Sequence, residues 1–273
     1  MKGSMLHFLV AAILAQATPS PGPSATPSVP TDPCGSILSI INRPTVITGT
    51  CTVRDGHAVL ETGYTNTITT GPGGGSTVSY PQSFVRVGIG QHLEMSFTPP
   101  SFNRSSVGGA IATGSSDMNM GLKWEGGYNE KAFWGANVQV SAPTGDPAFT
   151  AGGTQYTGNL NWSYALGPVW SVSGTFGFNS LVSANATGAF QRYSAFIPGV
   201  EITSALPGNS QAFAEYAYFS HAGPGFGSKS IIDFGYQRDF GQHVQFDIEY
   251  GFQPNAINGQ RQHYIGAGLS FMT

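Results

Sequence analysis

Charge is what this chain has least of. Asp, Glu, Lys and Arg make up 9% of its 273 residues, against roughly 25% in an ordinary soluble domain. Lys and Arg number 11 and Asp and Glu 14, a formal net charge of −3. So few cations exclude a basic nucleic-acid-binding surface, and no nucleic-acid partner is expected. Long apolar runs are missing too. After the first residues no stretch approaches the ~20 apolar residues of a membrane helix. Hydrophobic residues reach 40% with a mean hydropathy of −0.05. Yet Phe 18, Tyr 11 and Trp 4 exclude a disordered chain. What remains is an uncharged surface whose hydrophobicity is diluted by alternation. A β-barrel with lipid outside and water inside has that composition.

Lys2, the apolar run Met5–Ala15 and Ala15-Gln16-Ala17 have the order of a secretory signal peptide, so residues 1–17 are expected to be removed before Thr18. In residues 18–33, TPSPGPSATPSVPTDP, the prolines remove backbone donors and Ser, Thr and Gly offer nothing to bury, so a disordered tether is expected. Cys34 and Cys51 are the only two cysteines. In an exported chain such a pair most simply forms a disulfide, expected here in a segment, 34–55, lying in the periplasm ahead of the first strand. Lipidation of Cys34 is the rival reading, but Thr31-Asp32-Pro33 is no lipobox. Two isolated cysteines supply too few ligands for a metal.

From His57 onward the hydrophobic period is two. Val244-Gln245-Phe246-Asp247-Ile248-Glu249-Tyr250-Gly251-Phe252 alternates apolar with polar or Gly. The same pattern marks twelve segments, at roughly 57–68, 79–90, 92–98, 117–127, 131–142, 155–166, 169–180, 190–205, 210–220, 228–240, 243–253 and 261–271. Short turns follow every second segment, at Gly90-Gln91, Gly127–Glu130, Gly167-Pro168, Pro207–Asn209 and Gly241-Gln242. Longer loops follow the others, the longest expected from Pro99 to Ser116. This predicts an all-β, membrane-spanning antiparallel up-and-down barrel of about twelve strands over 56–273, with short periplasmic turns and longer outer loops. Tyr264–Phe271 alternates and ends on an aromatic, resembling the C-terminal signal read by the barrel-insertion machinery.

Phase then separates the two faces. Trp124, Trp134, Trp162 and Trp170 fall outward beside periplasmic turns, where indoles would anchor the membrane interface. Glu61, Arg86, Glu94, Lys123, Glu125, Glu201, Glu215, Asp233, Asp247 and Glu249 fall inward. On the first four strands the signs alternate and neighbours about 4.8 Å apart can pair. On strands 8 to 11 the charges are all acidic. Two readings stand: a selectivity layer favouring cations or neutral solutes over anions, or a structural network stiffening a narrow barrel. The histidines are scattered over strand ends and repeat no metal spacing; His243 or His263 with a serine would be needed for a membrane hydrolase.

Gly56–Tyr64 (GHAVLETGY), Val85–Glu94 (VRVGIGQHLE), Gly114–Lys123 (GSSDMNMGLK), Ala142–Asp146 (APTGD) and Gly266–Phe271 (GAGLSF) carry a family resemblance, and they do so in order. Together they resemble the family of outer-membrane transporters associated with phenol-degradation (meta-cleavage) pathways, across about 56–273. The resemblance implies a barrel that passes small, often aromatic, compounds through the bacterial outer membrane. The expected function is thus passive passage of small, aromatic or hydrophobic compounds without cofactor or enzymatic activity, with lipid and solute as partners. A structural or adhesive barrel with a closed lumen and a membrane hydrolase are the alternatives.

Overall fold

The computed structural model describes residues 32–129, 131–185 and 187–273. The expected signal peptide, and the proline-rich stretch up to Thr31, lie outside the described residues. The strands are β1 (Ala58–Thr70), β2 (Gly75–Tyr80), β3 (Phe84–Gly90), β4 (Leu93–Thr98), β5 (Phe102–Val107), β6 (Ala110–Ser115), β7 (Met118–Tyr128) and β8 (Ala132–Ala142). They continue as β9 (Gln155–Ala165), β10 (Trp170–Ala184), β11 (Phe190–Leu206), β12 (Ser210–Phe219), β13 (Lys229–Phe240), β14 (Val244–Phe252) and β15 (Arg261–Met272). Every pairing between named strands is antiparallel, and β15 pairs with β1 from Val59↔Met272 to Thr70↔Arg261. That last ladder closes the sheet into a barrel, as a strand array without water alongside requires, while β6, which pairs with β5 and no other described strand, keeps one free edge.

The barrel has twelve staves. Fifteen strands make twelve staves because three staves are interrupted. β1 pairs with β3 over its lower part, Ala58–Glu61, and with β2 over its upper part, Thr65–Thr69. The break between them holds Pro81, which has no N–H to give a ladder. Pro99-Pro100 breaks the next stave between β4 and β5, and Ser116-Asp117 the next between β6 and β7. Ser116 N donates to Ser101 O at 2.9 Å, so the second and third breaks are tied together.

This corrects one sequence expectation. Residues 99–116 are not a loop: β5 and β6 form a hairpin turning at Gly108-Gly109, both with positive φ. FNRSSV and AIATGS carry little apolar alternation, so their strands are hidden in the sequence. The long connections are instead 143–154, 220–228 and 253–260.

Phase is as expected. Leu160, Phe178, Val138 and Met120 stand on the outer wall with more than half of each side chain exposed, while Asn161, Asn137 and Lys123 beside them are buried within. Such exposed apolar area is stable only against lipid. Leu160→Arg, at mid-height of β9, should therefore cost about 2–4 kcal/mol in denaturant titrations of the bilayer-refolded protein. Gln139→Arg on the inner face should change that midpoint little, and equal costs at the two sites would reject the phase.

Candidate functional site

Residues 32–55 are inside the barrel. Sequence reading had put them in the periplasm ahead of it, because nothing periodic in that stretch calls for a wall. A four-residue helix, α1 (Ile37–Ile40), begins at a capping box in which Ser36 and Ser39 satisfy each other's N–H groups. The disulfide Cys34–Cys51, with Cα atoms 5.4 Å apart, staples the two ends of this segment. Closing a loop of that size contributes about 3 kcal/mol against local opening. Cys34, Ile37, Ile40, Ile41, Cys51, Val53 and Val59 pack into one cluster, with Phe133 and Met272 against it. An apolar knot thus fills the short-turn mouth, and residues 42–50 rise from it into the lumen as a plug.

A peptide loop in a barrel brings its N–H groups with it, and each needs an acceptor. The inward carboxylates supply them. Glu61 accepts from Arg43 N at 2.9 Å and Asn42 N at 3.2 Å. Glu94 accepts from Val53 N at 2.8 Å, and Glu125 from Thr52 N at 3.2 Å. Glu215 accepts from both Val46 N and Ile47 N at 3.1 Å. Thr175 Oγ1 takes Thr48 N at 3.2 Å.

Arg86 is the hub of this arrangement. It is fully buried, with Nε and Nη2 on Glu94 at 2.7 Å and Nη1 on Glu61 at 2.9 Å. Its remaining donors take the carbonyls of Ile40 and Cys51 in the plug. The expected lateral pairing of Glu61, Arg86 and Glu94 is therefore present, and it grips the plug at the same time. Lys123 does not join it as an ion pair; Nζ reaches Asn42 Oδ1 at 3.5 Å, the atom that also accepts Gly49 N at 3.1 Å.

Glycines on the wall leave room for the plug. A Cβ on Gly88 would collide with Arg54 O, one on Gly199 with Ile47, and one on Gly63 or Gly268 with Arg43. Sequence reading missed this fit, because a strand glycine carries no sign of what approaches it.

The acidic side differs. Glu201, Glu215 and Asp233 stand side by side in register on β11, β12 and β13. Glu201 is held by Thr203 Oγ1 at 2.7 Å and Ser173 Oγ at 3.3 Å. Asp233 accepts from Tyr264 Oη at 2.7 Å, and its other oxygen has no partner among the described residues. Asp247 faces Arg43 Nη2 at 3.5 Å with its second oxygen likewise free. Glu249 lies against Gly266.

Three cavities lie around the plug, the first mainly against β1 to β4 and the second against β8 to β13. One of about 590 Å³ lies above it, bounded by Arg43–Val46 of the plug and by Thr65, Ser79, Gln82, Phe84, Glu249 and Tyr264 of the wall. One of about 160 Å³ lies between Thr45, Ile47 and Gly49 of the plug and Ser173, Glu201, Thr203 and Gln237. One of about 670 Å³ opens at the short-turn mouth beside Leu38, Ile40, Asn209, Asp239 and His243. Thr45 borders the first two and Leu38 the last two.

The other sequence candidates fall as follows. Trp124, Trp134, Trp162 and Trp170 all have outward positions near the short turns, with Trp124 and Trp134 edge to face at 5.1 Å. The start of the motif string Gly114–Lys123 meets the string Ala142–Asp146 in one knot. Asp117 accepts from Gly145 N and Ala151 N at 2.8 Å each, and Ser115 donates its N–H and hydroxyl to Asp146. Those two bonds hold the Asp146 carboxyl below its ordinary range. His243 Nδ1 is engaged by Met272 O at 2.8 Å and His57 by Thr273 O. Cys34, Cys51 and Glu125 lie close together, but the sulfurs are bonded to each other and offer no thiolate to a metal.

No family model matches the chain, and no curated protein does. Solved structures do. A COG4313 outer membrane channel from Pseudomonas putida F1 aligns with a TM-score of 0.64 and 13% identity over 82% of this chain and 98% of that one. The NanC porin gives 0.51 and 10% over 77% and 98%. The translocator domain of the autotransporter NalP from Neisseria meningitidis gives 0.51 and 11% over 81% and 90%. The fold is that of outer-membrane barrels.

Two substitutions test the fit of plug and wall. Gly199→Val should push Ile47 away, at the ~1–3 kcal/mol of an overpacked site. The barrel should keep its heat-resistant mobility while the Val46 and Ile47 N–H groups, bonded to Glu215, lose protection in hydrogen exchange; protection equal to wild type would refute the fit. Arg86→Ala strands Glu61 and Glu94 and should lower stability by about 3–5 kcal/mol in the same titration.

Proposed function

We propose that the chain is a channel of the bacterial outer membrane in which small solutes pass passively beside the inserted plug, from a chamber walled by β1 to β4 with β14 and β15 to one walled by β8 to β13. The succession of three cavities, neighbours across Thr45 and Leu38, carries this reading. Its short turns and both described chain ends share one mouth, which fits the periplasmic side, with the longer loops outside. The exported address at residues 1–17, the alternating C-terminal strand suited to the insertion machinery, and the four outward tryptophans as interface anchors agree with that placement.

The inward charges then divide by task. Glu61, Arg86, Glu94, Lys123 and Glu125 lock the plug against one wall. Glu201 and Glu249 border the cavities and set their charge preference, while Glu215 and Asp247 also hold the plug, through Val46, Ile47 and Arg43, and Asp233 holds Tyr264. Poorly screened carboxylates with few cations near them favour cationic or neutral solutes over anions. The outer chamber offers hydroxyls and amides around the rings of Phe84 and Tyr264. That suits a small hydroxylated aromatic, the kind of compound the family resemblance implies. No step needs an energy source or cofactor.

The plug itself favours a second reading, a structural barrel with a closed lumen. Planar-bilayer recordings separate the two. Wild type should give a small current whose reversal potential across a salt gradient shows cation preference. Glu201→Gln with Glu249→Gln, which touches no plug bond, should bring that preference close to zero. Anion preference in wild type, or preference unchanged in the double variant, would sink the charged-wall reading. No current in wild type but current in Gly199→Val would establish the closed barrel.

A further inference from the structure

Charge is sorted between the two faces of the wall. Every Asp and Glu carried by a described strand has inward phase: Glu61, Glu94, Glu125, Glu201, Glu215, Asp233, Asp239, Asp247 and Glu249. The outward charges of the described strands are all arginines. Arg104 on β5 and Arg261 on β15 are exposed, and neither guanidinium has a partner among the described residues.

These two arginines share one side of the barrel. Arg104 stands across from Val78 on β2, Val78 from Asn66 on β1, and Asn66 from Ile265 on β15. Arg261 and His263 are the next outward positions above Ile265. The outward surface between the arginines carries Asn66, Ser76 and Ser106 beside Ile68 and Val78. On the opposite wall the outward arginine, Arg192, is engaged instead, lying over the Tyr156 ring and donating to Ser180 and to Thr154 O beside the exposed Val140, Phe178 and Phe196.

Height matters as much as charge. On β15 roughly ten residues separate Phe271 near the short-turn rim from Arg261, and a similar run separates Leu93 from Arg104. At ~3.3 Å per residue and a tilt near 40° this is about 25 Å, the height of the apolar band of such barrels. Both guanidiniums therefore stand at the far boundary of that band. With the long loops outside, the boundary is the headgroup level of the outer leaflet. A guanidinium there meets phosphate oxygens, which it binds through paired N–H donors.

We infer that the outer face of β15, β1, β2 and β5, with Arg104 and Arg261 at its corners, binds the phosphate groups of an outer-leaflet glycolipid. The patch is carboxylate-free, its serine hydroxyls suit a sugar headgroup, and its two arginines, unlike Arg192, have no partner among the described residues. The inference rests on the orientation argued above and not on whether the lumen conducts.

The test uses the full folded chain in phosphatidylcholine nanodiscs, with bound lipid read by native mass spectrometry. Bisphosphorylated lipid A should bind wild type, and Arg104→Gln with Arg261→Gln should weaken it by about 10- to 30-fold. Arg238→Gln, on the outer wall near the short turns, should leave binding unchanged. Lysine at both upper positions should restore most of it, which also guards against loss through misfolding. Dephosphorylated lipid A binding wild type equally, or the double glutamine variant binding like wild type, would overturn the proposal. Phosphatidylglycerol binding as tightly as lipid A would overturn it too, by showing attraction to any anionic lipid. Bilayer current is recorded on the same samples, so a silent lumen and an empty lipid site are separate results.

Discussion

The need to satisfy the N–H groups of a peptide held inside a barrel organises this molecule. Within a β-barrel the wall has used its own backbone donors and acceptors in the ladders. A loop that enters must find acceptors on side chains. Glu61, Glu94, Glu125 and Glu215 each accept one or more peptide N–H groups of residues 42–53. A charge-assisted bond of this kind is about twice as strong as a neutral one, and it keeps its carboxylate from being stranded. Arg86 completes the set by binding two of those carboxylates and two plug carbonyls together. Remove the plug and these buried charges lose their partners; remove the charges and the plug loses its seat.

This explains the lopsided lumen. On the staves from β1 to β7 cations and anions alternate and are consumed in seating the knot. On the staves from β11 to β14 the carboxylates outnumber their partners, with Asp233 and Asp247 each keeping a free oxygen. The plug is held from both sides, by Arg86 with its carboxylates on one and by Glu215 and Asp247 on the other. The outer cavity lies beside the balanced staves and the inner one beside the acidic ones.

Much of the barrel was legible in the sequence, because lipid outside and water inside impose a period of two that survives even in a chain with little charge. VQFDIEYGF and its like mark strands whatever lies beyond them. The Ser/Thr-rich hairpin of β5 and β6 was not legible, since strands rising past the apolar band no longer need an apolar face, and Pro99-Pro100 reads as a loop. The plug was not legible at all. Its partners are backbone N–H groups, which every residue but proline has, so no side-chain pattern announces them. Glu61 and Glu215 could be placed at one height by counting from the turns, yet nothing in that count shows what they hold. Gly199 and Gly268 were visible only as strand glycines; their meaning lies in Ile47 and Arg43, more than a hundred residues away in the chain.

Those separations bear on the order of assembly. The plug precedes β1 in the chain, but Val46 binds Glu215 across 169 positions and Arg43 reaches Asp247 across 204. Neither acceptor is in place until the last staves have joined the sheet, and the lumen that holds the knot does not exist before β15 meets β1. The knot can staple itself early, because Cys34 and Cys51 are only 17 positions apart. It can be seated only late. Synthesised first and placed last, the N-terminal segment makes its contacts only with a completed wall, so its seating records that the barrel has closed.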